Sequence, residues 1–161
     1  MIHRPSNWNR LLKGLLIALP LSATTACQSP HSQGNNSFPI GAVIALTGNY
    51  SIIGQDQRIG LELAQQYFGQ REPKTELLIE DGGSDELTAT NAFRSQIAKG
   101  VIALIGPSNS QQAFAADPVA DRAGVPVVAA SNTANGIPEI GSFISRVSAP
   151  VSVVAPLSIA A

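Results

Sequence analysis

Cysteine is almost missing from this chain: Cys27 is the single one in 161 residues, which excludes an internal disulfide framework. Histidine is nearly as scarce. His3 and His31 both lie before position 38, so the body of the chain has neither Cys nor His. Thiolate nucleophiles, imidazole general bases, His-containing triads and Cys/His zinc sites are all removed in one step. Basic clusters are lacking too. Beyond position 27, seven Lys/Arg face eleven Asp/Glu, a net charge of −4, and no Lys/Arg run offers the stripe that displaces counterions from nucleic-acid phosphates. Neither G-x-G-x-x-G nor G-x-x-x-x-G-K-[ST] occurs, so the common phosphate loops are absent. Glu80, Asp81, Asp85 and Glu86 lack EF-hand spacing and read as solvated turn and helix-start carboxylates. Asp117, Asp121 and Glu62 read as exposed helix positions, so no carboxylate pair is placed for glycoside-type acid/base work. The expectation is a protein that is not an enzyme, with no cofactor, no metal and no nucleic-acid partner.

Long apolar runs are missing as well. Gly14 to Ala23 is the longest candidate in the leader, far short of the ~20 residues that a helix needs to cross a bilayer. Placed after a short basic stretch with Arg4, Arg10 and Lys13, it reads as a secretory signal. The small residues Thr24-Thr25-Ala26 directly before Cys27 resemble the lipobox of bacterial lipoproteins, in which the cysteine thiol takes the lipid and becomes the new N-terminus. That family usually has leucine three residues before the cysteine, where this chain has Thr24, and ordinary signal cleavage with a free thiol is the alternative. The resemblance implies residues 1–27 as a lipoprotein signal peptide and an exported protein on the periplasmic or cell-surface side. Lipid on Cys27 would hold it to a membrane surface at about 0.8 kcal/mol per buried methylene. Residues 28–38, rich in Gly, Pro, Ser and Asn, are expected to be a flexible tether.

What remains, 39–161, has one organising feature. Continuous apolar runs at 40–46, 77–79, 101–105, 125–129 and 143–145 alternate with helical spacing at 56–68, 84–99 and 110–123, and another helix begins at 151. Apolar strands alternating with helices imply right-handed crossovers, hence the α/β class: a mostly parallel sheet with helices on both faces.

Ligands of such sheets gather beyond the carboxyl ends of the strands. The loop after the third strand reads Gly106-Pro-Ser-Asn-Ser110 and opens a helix, while Ala130-Ser-Asn-Thr133 follows the fourth strand. Hydroxyls beside the free N–H groups of a helix N-terminus suit a carboxylate or small anion. The same residues also read as a helix cap at Ser110 and as turn chemistry at Ser131 to Thr133.

Ile40-Gly-Ala-Val-Ile-Ala-Leu-Thr-Gly48, Gly54, the helix from Gly60 to Phe68, Glu80-Asp81, Ile105-Gly-Pro-Ser-Asn-Ser110 and Gly124-Val-Pro-Val-Val-Ala-Ala-Ser-Asn-Thr133 together resemble the first lobe of the type I periplasmic binding proteins, in particular the leucine/isoleucine/valine-binding branch that serves ABC importers. The resemblance implies an amino-acid site. Ser110 would donate to the ligand carboxylate, the Ser131 carbonyl would accept from the ammonium, and the Thr133 N–H and hydroxyl would serve both. Asn109 would stand beside them among the ligand-binding residues, and Ile53 would meet the ligand side chain. Some members tie two loops with a disulfide near the places held here by Ser84 and Asn109.

The function implied is non-catalytic ligand capture: a substrate-binding lipoprotein of an ABC importer for branched-chain or related amino acids, with an ABC permease as partner. The family closes two lobes over its ligand, and 39–161 corresponds to one, so the second is expected to be missing and the chain to be a truncated fragment. Binding by the polypeptide as written is expected to be weak or undetectable. The alternative is a lipoprotein regulator or sensor of the same fold contacting a protein partner, since fold does not fix function.

Overall fold

The computed structural model describes residues 37–160; the leader, Cys27 and the tether up to residue 36 lie outside the described residues. Five strands build one sheet: β1 (Phe38–Ile44), β2 (Thr75–Asp81), β3 (Ala103–Ile105), β4 (Val127–Ala129) and β5 (Ile144–Arg146). Their order is β2-β1-β3-β4-β5, with every neighbouring pair parallel. The register sets Ile40 beside Leu77 and Ala103, Leu104 beside Val127, and Val127 beside Ile144. Strand order reverses between β1 and β3, which opens a crevice at their carboxyl ends.

Four α-helices accompany the sheet: α1 (Ser51–Phe68), α2 (Glu86–Ala98), α3 (Ser110–Ala123) and α4 (Val151–Ala160). A 3-10 turn at Pro138–Ile140 precedes β5. On one face the inward residues Val43, Leu104, Val127 and Ala129 pack with Ala89, Ala92 and Phe93 of α2 and Ala113, Ala116 and Ala120 of α3. Alanine on both helices permits their close approach, and Phe93, fully buried between them, contributes roughly 1.5–3 kcal/mol by leaving water. The alternate residues Ile44 and Ile105 share a cavity of about 220 Å³ with Gln57, Gly60 and Leu61 of α1, which therefore covers the opposite face. The expected parallel sheet with helices on both faces is the architecture found.

Helix termini follow side-chain chemistry. Asp85 caps α2 by accepting the Thr88 N–H at 2.8 Å. Asn109 caps α3 by accepting the Gln112 N–H at 3.0 Å, and Gly124 ends it in the left-handed conformation. Ser110 is thus the first helical residue of α3 and not its cap. The first helix starts earlier than its spacing suggests, at Ser51, because Gly54 lets the first turn lie against the end of β1. A Cβ at Gly54 would fall on the Ala45 carbonyl oxygen. Ile53, expected in a loop, consequently sits in the first turn of α1.

Asp117 corrects the sequence reading. It is not an exposed helix position: its relative exposure is 0%, and neither carboxylate oxygen has a hydrogen-bond partner among the described residues. Desolvation pushes its carboxyl from 3.8 up to about 8, so the neutral acid is the form that the fold accommodates. The other two acids read as exposed differ from it. Glu62 is exposed and bridges Arg58 at 2.7 Å, one turn away, whereas half-buried Asp121 accepts the Phe143 N–H at 3.0 Å.

Candidate functional site

Three loops meet beyond the carboxyl ends of the strands: 45–50 after β1, 106–109 after β3 and 130–134 after β4. The first is held by acid and hydroxyl groups from the end of β2. Asp81 accepts from the Leu46 N–H at 2.9 Å, the Thr47 hydroxyl at 2.6 Å and the Gly83 N–H at 2.8 Å. Burial alone would raise this carboxyl, but the bonds from the Thr47 hydroxyl and from the Gly83, Leu46 and Thr47 amides outweigh it and hold the carboxyl below its ordinary value. Ser84 accepts the Tyr50 N–H and donates to the Thr47 carbonyl, both at 2.9 Å. Asp81 is thus a loop anchor, where the sequence reading had a solvated turn carboxylate. Gln112, buried on α3, extends the support by donating to the Gly82 and Gly83 carbonyls at 3.0 Å.

The second loop owes its path to Gly106, whose φ of +118° belongs to glycine and whose missing side chain lets the Val43 carbonyl approach. It delivers Ser108, which accepts the Ala45 N–H at 2.8 Å, and then Asn109 and Ser110. The carboxamide of Asn109 is engaged locally, since it also donates to Gln112 Oε1 at 2.9 Å.

The third loop is pinned at each successive residue. Ser131 donates to the Ser108 carbonyl at 2.8 Å, and Ser148 donates to the Asn132 carbonyl at 2.8 Å. The Thr133 carbonyl accepts the Val151 N–H at 2.8 Å, which ties the start of α4 to the loop. Ala134 gives its N–H to Ser110 Oγ at 3.2 Å, and its carbonyl accepts from Arg146 at 2.5 Å.

Ser110 and the Ser131–Thr133 loop are therefore brought together. Ser110 Oγ lies within hydrogen-bond reach of the peptide N–H that follows Thr133. The Ser131 carbonyl, the Thr133 N–H and the Thr133 hydroxyl make no hydrogen bond among the described residues, and Thr133 is exposed. Exposed donors and one carbonyl acceptor thus share an edge of the crevice with the N-terminal turn of α3, an arrangement that can receive a carboxylate and a neighbouring cation. Ile53 is 44% exposed and lies in the first turn of α1, one turn before Gln57. Sequence reasoning missed Gln57, which binds Ser108 and Ser131 from α1, and the anchoring role of Asp81. Among the described residues no group of three or more metal-ligating side chains occurs, and no helix is long and apolar enough to cross a membrane.

Comparison with known proteins bears on the fold and the family. No curated protein sequence matches significantly. Among solved structures, a leucine-binding protein from Thermotoga maritima is 26% identical with a TM-score of 0.71, over 76% of this chain and 36% of that one. The branched-chain amino acid transporter substrate-binding protein of Streptococcus pneumoniae, in complex with isoleucine, is 24% identical with a TM-score of 0.68, over 72% of this chain and 35% of that one. A solute-binding protein of an ABC transporter from Rhodopseudomonas palustris, in complex with 3,4-dihydroxybenzoic acid, is 22% identical with a TM-score of 0.69, over 73% of this chain and 33% of that one. The chain thus spans about a third of the length of these relatives. A family model described as periplasmic binding protein matches residues 37–154, which cover every strand and every loop of the crevice. The chain belongs to the periplasmic binding protein family.

Proposed function

We propose that this chain carries one side of the ligand site of a substrate-binding lipoprotein that captures branched-chain or related amino acids, without catalysis, for an ABC permease. The observation that carries this reading is the meeting of Ser110 with the Ser131–Thr133 loop beside the first turn of α3. A carboxylate stripped of water needs several donors, and the Ser110 hydroxyl, the Thr133 N–H and the Thr133 hydroxyl supply them. An α-ammonium group needs acceptors, of which the Ser131 carbonyl is one. Of the similar structures, one holds isoleucine and another 3,4-dihydroxybenzoic acid. Both ligands have a carboxylate, and the amino acid alone has the ammonium. The Ser131 carbonyl favours the amino acid on that ground.

The test is ligand-observed NMR on the full chain with L-leucine, L-isoleucine and benzoate, repeated on the Ser110→Ala/Thr133→Ala double variant. Weak, saturable binding of the amino acids that disappears in the double variant supports the reading. Equal signals from wild type and variant, or a preference for benzoate, reject the amino-acid assignment. Lipidation at Cys27 is tested separately by labelled palmitate in cells: incorporation lost in Cys27→Ser supports an anchored protein, and label-free wild-type protein refutes it.

A further inference from the structure

We propose that Gln57 of α1 is a positioning residue for this cradle, setting the loops after β3 and β4 against each other and turning Ser131 so that it offers its carbonyl; the ligand side of this role rests on the binding function proposed above. The basis is a closed ring of hydrogen bonds. Ser108 Oγ donates to Gln57 Oε1 at 2.5 Å, Gln57 Nε2 donates to Ser131 Oγ at 2.6 Å, and Ser131 Oγ donates to the Ser108 carbonyl at 2.8 Å. The ring joins three segments that are 51, 74 and 23 positions apart in pairs.

Its polarity is set from the buried end. Ser108, only 3% exposed, already accepts the Ala45 N–H. Its one proton therefore needs an acceptor, which the carboxamide oxygen provides, and the NH₂ of Gln57 is turned to Ser131. The Ser131 hydroxyl then donates once and accepts once within the ring, while its carbonyl carries no bond among the described residues. A side chain on a separate helix thus fixes both the spacing of the two loops and the group that Ser131 presents. The Ser110 to Ala134 bond lies one step further along the same two loops, so it reports on their separation.

Two substitutions divide the roles of the carboxamide. Gln57→Leu removes donor and acceptor. Gln57→Glu keeps an acceptor for Ser108 but, when ionised, has no proton for Ser131; protonation restores one. The experiment measures amide-exchange protection of Ala134 relative to that of Leu104, whose N–H bonds to the Pro126 carbonyl in the core. It uses the full ¹⁵N-labelled chain with and without L-leucine. At neutral pH both variants should lose protection at Ala134 by roughly tenfold, the scale of one net hydrogen bond, with Leu104 unchanged. As pH falls through the carboxyl range of about 4–5, Gln57→Glu should return to the wild-type ratio while Gln57→Leu does not. Any L-leucine shift at Ser110 and Thr133 should weaken in step. Wild-type ratios in both variants at every pH overturn the positioning role. L-leucine shifts that are equal in wild type and both variants overturn the ligand side of it. A protection ratio that responds as described, in a wild-type chain that shows no L-leucine shift, leaves the loop coupling standing and overturns the binding function instead.

Discussion

Ser110 Oγ accepts the Ala134 N–H at 3.2 Å, joining the first turn of α3 to the loop that carries Thr133. Because Asn109, and not Ser110, caps the helix, the two neighbours have separable duties. Ser110→Ala should lower stability by no more than about 1 kcal/mol, one net hydrogen bond. Thr133→Ala, at an exposed side chain with no hydrogen-bond partner among the described residues, should stay within about 0.5 kcal/mol. Each should still weaken L-leucine or L-isoleucine binding at least about tenfold, as loss of a hydrogen bond to a charged group does. Thermal melts read beside ligand titrations check both halves.

Asn109→Ala should do the opposite. Losing the cap on α3 costs about 1 kcal/mol, visible as a lower urea midpoint at unchanged slope, whereas Asn109→Asp retains the capping acceptor and most of the stability. An unchanged midpoint with weakened ligand binding would instead make Asn109 a ligand contact, the place that family resemblance assigns it.

Asp117 predicts a falling stability profile. Its carboxyl stands at about 8 in the fold against 3.8 as its ordinary value. Between these pH values the folded chain keeps a proton that the unfolded chain has released, so stability drops as pH rises, by up to about 1.4 kcal/mol per pH unit, and levels off above 8. Asp117→Asn should flatten that slope and raise stability near neutrality. Urea midpoints from pH 5 to 9 measure it; a slope that survives in Asp117→Asn would assign the effect to another group.

Asp81 acts at the other end of the scale. Its folded carboxyl is held below its ordinary value by four donors, so its contribution is present above the unfolded pKa and is lost as pH falls through the lowered one. Asp81→Asn should remove this acid-side loss and speed amide exchange at Leu46 and Thr47 at neutral pH. Retained protection at both amides would show that the β1–α1 loop holds its shape without the acid.

How far the sequence could be read follows from how each feature is encoded. Strands buried on both faces leave continuous apolar runs, so Ile40–Ile44 and Val127–Ala129 were legible, as was the parallel order that their crossovers demand. The start of α1 was not, because Tyr50 makes no side-chain cap and Gly54 imitates a loop while serving close packing. Asp117 was readable in principle: with Ala113, Ala116 and Ala120 it completes the spacing of one buried helical stripe, and its charge masked that position. Ser110, Ser131 and Thr133 lie just beyond strand ends, but position alone reads equally as a helix cap and turn chemistry, and only the family resemblance singled them out. Gln57 could not, since its partners are 51 and 74 residues away and glutamine has no periodic signature. The anchoring by Asp81 is hidden similarly, in bonds to main-chain groups 34 and 35 positions distant.

The central claim is that the crevice edge formed by Ser110 and Thr133 receives the headgroup of an amino acid, and amide-shift mapping on the ¹⁵N-labelled chain during titration with L-isoleucine tests it most directly. The account predicts that the saturable shifts are largest at Ser110, Gln111, Thr133 and Ala134 and are suppressed in Ser110→Ala/Thr133→Ala. Saturable shifts confined to other parts of the molecule, such as the exposed face of α1 at Ile59 and Leu63, would contradict it.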